Sequence, residues 1–171
     1  FYEAVVGSAV RRGGQLLAQR AREIEPRVGL QLDGVPLVAG VYLPDQGYHF
    51  DVQVPDIGPT ALSMWVYLQT RPGPQTMTPP VSGRVTPQAV IPDDPKFDLG
   101  REYGNFVKNS LVDAMLDNSS TLPLKAGERL TIRARVPQVY VDPRQLSEDR
   151  ELLLSVLADD LLALRDGRLT R

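Results

Sequence analysis

No cysteine occurs in the 171 residues, so disulfides, thiolate metal centres and cysteine nucleophiles are excluded. The same absence suits an oxidising or a reducing compartment and places the chain in neither. Histidine occurs once, as His49, which removes every site that needs two histidines from this chain, the H-E-x-x-H zinc site and the facial triad among them. Charge of one sign is not in excess, because 19 Lys and Arg face 21 Asp and Glu for a formal net charge of −2. A dedicated nucleic-acid binder would carry a basic excess or stripe, so nucleic acid is not an expected partner. No apolar run approaches the roughly 18 residues that span a bilayer as a helix. The sequence also lacks G-x-S-x-G, S-x-x-K, G-x-G-x-x-G and the phosphate-loop pattern. No metal and no cofactor is therefore expected.

What is present is the composition of a folded chain, 42% hydrophobic and 23% charged. Its length suits a single domain over residues 1–171. The first residue is Phe1, not Met, which leads us to expect a processed or trimmed product with any signal peptide lying upstream.

Residues 2–25 read as a helix, with Tyr2, Val5, Val6, Ala9, Gly13, Leu16, Leu17 and Ile24 on one stripe and Pro26 as its stop. Gly13-Gly14 inside it implies a bend or the close approach of a neighbour. Val28 to Leu32 and Val35 to Leu43 then read as a hairpin around Asp33-Gly34, since Asp-Gly supplies the positive φ of a tight turn. A second turn at Pro44-Asp45-Gln46-Gly47 leads into Tyr48, Phe50, Val52 and Val54, which alternate with His49, Asp51 and Gln53 as in a half-buried antiparallel strand. Leu62 to Thr70 reads as a fourth strand.

Residues 71–96 hold seven of the 15 prolines and read as a long loop. Asp98 is a suitable N-cap for a helix to about Asn118, with Leu99, Tyr103, Phe106, Val107, Leu111, Ala114 and Met115 on its apolar face. Leu130, Ile132, Ala134 and Val136 alternate with Thr131, Arg133 and Arg135 in another strand. Pro137 and Pro143 bracket an extended link. Ser147, followed by Glu148, Asp149 and Glu151, starts a predicted terminal helix over 147–166 with Gly167 as its C′ residue. The expected fold class is α+β, a largely antiparallel sheet of about five strands packed with three helices.

Three groups of residues carry chemistry. His49 is a candidate general base with Asp45 or Asp51, which would make the chain a small hydrolase-like enzyme. The local sequence names no further partner, so a solvated cross-strand histidine is the preferred reading. Asp93 and Asp94 alternate in direction on an extended segment and read as turn residues rather than a shared ligand. Arg133 and Arg135, two apart on one strand face, would grip a small anionic ligand unless acidic neighbours oppose them. The eight large aliphatics from Leu152 to Leu164 exceed one helical stripe. They are covered inside the chain, with helix 2–25 and its Gly13 as the natural cover, or lent to a protein partner or a second copy through Leu154, Leu157 and Leu161.

Two stretches, "VYLPDQGYHFDVQVP" and "NSLVDAMLDNSSTLPLKAGERLTIRARVP", resemble a loosely defined group of uncharacterised, exported bacterial envelope proteins. In that group a turn like "LPDQG" precedes an apolar strand, and a helix like "LVDAMLD" runs through "LPL" into a strand like "GERLTIRAR". The resemblance covers about a third of the chain and brings no catalytic residues. It implies a periplasmic or secreted setting and no known reaction, while a cytoplasmic setting is equally compatible with the composition. The expected function is a non-catalytic binding or assembly domain of an exported bacterial protein.

Overall fold

The computed structural model describes residues 1–27, 29–58, 65, 98–136 and 150–170. Its elements, in order, are α1 (Tyr2–Ile24), β1 (Leu32–Asp33), β2 (Leu37–Leu43), β3 (Gly47–Gln53), β4 (Asp56–Ile57), α2 (Leu99–Asn118), a 3₁₀ turn (Ser119–Thr121), β5 (Arg129–Val136), β6 (Arg150–Leu157) and α3 (Ala158–Arg165). This is an α+β fold with mostly antiparallel strands. The main sheet has the order β2-β3-β5-β6, and its one parallel pair, β3 with β5, lies in the middle. Parallel neighbours need a crossover of a dozen residues or more, and the chain between Gln53 and Arg129 supplies it, α2 included.

Alternation decides which sheet face is buried. Phe50, Val52 and Val54 and their β5 counterparts Leu130, Ile132, Ala134 and Val136 are buried, while Asp51, Gln53, Arg133 and Arg135 are exposed. The helices α1 and α2 cover the buried face, with Val6, Val10, Leu17, Tyr103, Val107 and Leu111 all inaccessible. Asp98 caps α2 by accepting from Arg101 N–H at 2.9 Å. The glycine pair in α1 serves close approach: a Cβ on Gly13 would stand 2.9 Å from the Val107 backbone of α2. Gly13 thus meets α2, not the terminal segment. The buried face of α1 is turned slightly from the expected stripe, taking in Val10, Gly14 and Ala21 and leaving Leu16 and Ile24 exposed.

The Pro44 to Gly47 turn joins β2 to β3, with Asp45 at φ 62° and Gly47 at φ 103°. Only glycine fits at 47, because a Cβ there would strike the Arg129 carbonyl. Asp33-Gly34, by contrast, makes no tight hairpin between β1 and β2. The strand β1 pairs with β4 instead, Leu32 opposite Ile57 and Asp33 opposite Asp56, so it prolongs the β2/β3 ladder past a break. Residues 34–36 face 54–55 across that break, and the extra residue is absorbed as in a bulge, with Gly34 at φ 90°. The Tyr103 hydroxyl reaches the break from α2 and donates to the Pro55 carbonyl at 2.9 Å.

The terminal helix over 147–166 is corrected for its first half: Arg150–Leu157 is β6, antiparallel to β5, and helix begins only at Ala158. Leu152, Leu154 and Val156 sit opposite Ala134, Ile132 and Leu130, so the apolar excess belongs to a strand with apolar residues on both faces. The end of α3 follows expectation. Gly167 at φ 72° donates to Leu164 and Arg168 N–H donates to Ala163, a Schellman closure. Of the predicted strand Leu62 to Thr70, only Trp65 is described, and it is helical and buried. Val28, the long loop 71–96, the Pro137 to Pro143 link and the Ser147 cap lie outside the described residues.

Two substitutions test this packing. Phe50→Ala is expected to cost about 3–5 kcal/mol in urea unfolding, while Gln53→Ala on the opposite face costs little. Tyr103→Phe leaves the buried Pro55 carbonyl unpaired and is expected to cost about 1–3 kcal/mol; unchanged unfolding midpoints for both variants would contradict the register and the break.

Candidate functional site

The helices α1 and α2 lie on one side of the main sheet, and the other side presents four cross-strand rows. Reading from β2 to β6, these are Leu43, Gly47, Arg129, Leu157; then Val41, His49, Thr131, Ser155; then Ala39, Asp51, Arg133, Leu153; then Leu37, Gln53, Arg135, Glu151. Polar groups therefore occupy most of the two central strands, while the outer strands carry Leu37, Val41 and Leu43 on β2 and Leu153 and Leu157 on β6, the latter alternating with Ser155 and Glu151. Leu37, Val41 and Leu153 are 60%, 52% and 64% exposed.

His49 is half-buried between Val41 and Thr131, and its Nε2 is buried without a hydrogen-bond partner. Asp51 shares its face two residues on, while Asp45 sits at the end of the hairpin in the turn. No hydrogen bond joins His49 to either carboxylate among the described residues. The three candidate catalytic residues are thus neighbours along one ribbon, with no hydrogen bond between the imidazole and either carboxylate.

Arg133 and Arg135 share the open face as their spacing implies, but the Arg133 guanidinium is engaged by Glu151 through Nε and through Nη2 at 3.1 Å. That bidentate contact raises the Arg133 pKa, with the nearby Asp51 adding to it. It also holds the Glu151 carboxyl below its ordinary value, and Arg135 contributes. Asp51, Arg133, Glu151 and Arg135 form a ladder of alternating charge, and an anion gripped by Arg133 and Arg135 together must displace Glu151 from Arg133. Both partners are about half exposed, so the pair itself adds little stability. Thr131 and Ser155 complete the polar strip with a 3.2 Å hydroxyl contact.

The residues expected to meet a partner are dispersed. Leu154 faces the core opposite Ile132, Leu157 is half-buried on the open face, and Leu161 is buried in α3. Phe1, Leu16, Ile24, Val35 and Leu169 are exposed elsewhere; in the main sheet the exposed large apolar positions are Leu153 on β6 and Leu37, Val41 and Tyr42 on β2. Their signal was in the sequence: "LVAGVYL" over 37–43 holds no charge and no proline, the residues that usually blunt an edge strand.

Glu128 ties this region together and was not singled out by any motif. It is 3% exposed and immediately precedes β5. Its carboxylate accepts from Lys125 N–H at 2.9 Å and from the Tyr42 hydroxyl at 2.7 Å, and its carbonyl accepts from Ala158 at the start of α3. The contact with Lys125 N–H leads in lowering the Glu128 pKa, followed by the Tyr42 hydroxyl. The same hydrogen bond to Glu128 pushes Tyr42 up to about 12.

Between α1 and α2 lies a surface groove of about 410 Å³ with a mixed lining, Phe1, Val5 and Ala9 beside Arg12, Asp113 and Asp117. Among the described residues no group of three or more metal-ligating side chains is placed to hold an ion. No described helix is long and apolar enough to cross a membrane. Comparison of the chain with family models, with curated proteins and with solved structures gives no match.

The Glu128 contacts set a pH dependence. The folded carboxyl releases its proton more readily than the unfolded one, so the unfolded chain binds more protons in that range and stability rises with pH there. The contribution is complete above the ordinary value of 4.5 and is lost as pH falls through the lower folded value. Glu128→Gln is expected to lower the urea midpoint at neutral pH, and its deficit is expected to shrink as pH falls below 4.5. A deficit independent of pH would remove the charge from the account.

Proposed function

We propose that the chain is a non-catalytic binding or assembly domain that meets a protein partner through the open face of its sheet. The carrying observation is the exposure of Leu37, Val41 and Leu153 around a charge ladder that is internally neutralised. Exposed apolar side chains flanking a satisfied polar strip suit a protein surface: the apolar groups gain from desolvation and the ladder supplies register. The lack of a hydrogen-bonded partner for His49 and the engagement of Arg133 by Glu151 weigh against the hydrolase and anion-binding readings. An exported, envelope setting in a bacterium rests on the resemblance of the "LPDQG" and "GERLTIRAR" stretches alone.

Site-specific photocrosslinking tests the reading in the producing cell. A photoreactive phenylalanine analogue at Val41 or Leu153 is expected to give discrete higher-mass adducts, and the same group at exposed Gln19 of α1 is expected to give none. Equal labelling at the three positions, or none at any, would overturn the sheet face as the contact surface.

A further inference from the structure

The strand β2 is an edge of the main sheet among the described residues. Its odd-numbered residues face β3 in hydrogen-bonded pairs, as Gln46 N–H closing on Leu43 O at the turn requires. The N–H and C=O groups of Val38, Gly40 and Tyr42 therefore point away from the sheet. One of these donors is occupied: Gly40 N–H donates to Glu3 Oε1 at 2.8 Å, a carboxylate reaching over from the first turn of α1. Glu3 stands where the carbonyl of an added strand would stand.

Beside this edge, on the helical side, lies a groove of about 270 Å³ lined by Tyr2, Glu3, Gly40, Tyr42, Tyr48 and Phe50, among others. Gly40 keeps it open, since a Cβ there would come within 2.5 Å of the Phe50 ring. The walls are aromatic, with Tyr2 and Phe50 centroids 5.0 Å apart and Tyr42 and Tyr48 4.9 Å apart. The lining holds one carboxylate and neither lysine nor arginine, and the Glu128 carboxylate stands behind the Tyr42 hydroxyl.

We infer that this edge and groove receive an extended peptide that adds as a strand to β2 and lays a Lys or Arg side chain in the groove. The inference rests on the binding reading above and names a partner class for it. An aromatic wall with a carboxylate at its centre suits a long aliphatic stem ending in a cation, through burial of the stem, cation–π attraction and the ion pair. On binding, Glu3 passes from Gly40 N–H to the incoming cation, and the freed N–H pairs with the peptide carbonyl. Side chains on the peptide's other face lie beside Leu37 and Val41 and are apolar. Strand addition takes affinity from the backbone and specificity from alternate side chains. A second copy of this chain fits less well, because antiparallel pairing of two β2 strands about Gly40 brings two Glu3 carboxylates together at the two-fold axis.

The probe is a fluorescent seven-residue peptide alternating Val and Lys, matched in length to β2, with a Val/Glu analogue and two analogues N-methylated on one or the other alternate set of amides. Anisotropy is expected to show saturable binding of the Val/Lys peptide and of one N-methylated analogue only, and no binding of the Val/Glu peptide. Glu3→Gln, which keeps an acceptor for Gly40, is expected to weaken the Val/Lys peptide roughly tenfold with an unchanged urea midpoint. Binding that is indifferent to Glu3→Gln, to peptide charge or to either methylation pattern would overturn the inference, as would a concentration-dependent dimer that excludes the peptide. Crosslinks at Val41 and Leu153 without any peptide binding would overturn it too, while leaving the sheet face as a partner surface.

Discussion

The parallel pairing of β3 with β5 is the contact on which the remaining structure depends. It lays the N-terminal hairpin against the β5-β6 hairpin and so turns two ribbons, each marginal alone, into one four-stranded sheet. It aligns Phe50 and Val52 with Ile132 and Ala134, which gives α1 and α2 a continuous apolar floor. Its tightest point is Gly47 against the Arg129 carbonyl, where any side chain would force the two ribbons apart. The same pairing brings Asp51 beside Arg133, so the open-face charge ladder exists only because the two ribbons lie in this register.

Placing β3 and β5 in the centre makes edges of β2 and β6 among the described residues, and the β2 edge is guarded in an uncommon way. Edge strands are generally blunted by lysines, prolines or bulges within the strand. Here Leu37 to Leu43 carries none of these, and among the described residues the guard is Glu3, borrowed from α1. Glu128 anchors the same strand from behind through the Tyr42 hydroxyl while also fixing the turn before β5 and the start of α3. Two carboxylates thus hold the edge in place, one at its backbone and one at its side chain.

Much of this was legible from period and punctuation. The helices α1 and α2 declare themselves by apolar spacing, by Pro26 and by the Asp98 cap, and β3 and β5 by strict alternation after turns that demand positive φ at Asp45, Gly47 and Gly127. Arg150 to Leu157 misled because three consecutive leucines hide a period of two, and leucine with an acidic lead-in favours helix locally. Asp33-Gly34 misled because the same positive φ serves a bulge as readily as a tight turn, and only the pairing of Leu32 with Ile57 distinguishes them. Glu3 and Glu128 belonged to no motif, since their partners, Gly40 and Tyr42, lie 37 and 86 residues away.

The sequence by itself determined part of the local order: that α1 and α2 are helices, where β3 and β5 run, which of their faces is buried, and which chemistries are closed to a chain without cysteine and with one histidine. Those properties follow from side-chain period, φ preference and residue type, all of which act within a few residues. Tertiary structure alone decided that the β5 neighbours are β3 and β6, that Leu152 to Val156 pair as a strand, that Glu151 answers Arg133, and that β2, the edge strand among the described residues, lies beside an aromatic groove. Each of these is a contact between segments far apart in the chain, where the gain from burial and backbone pairing overrides local propensity.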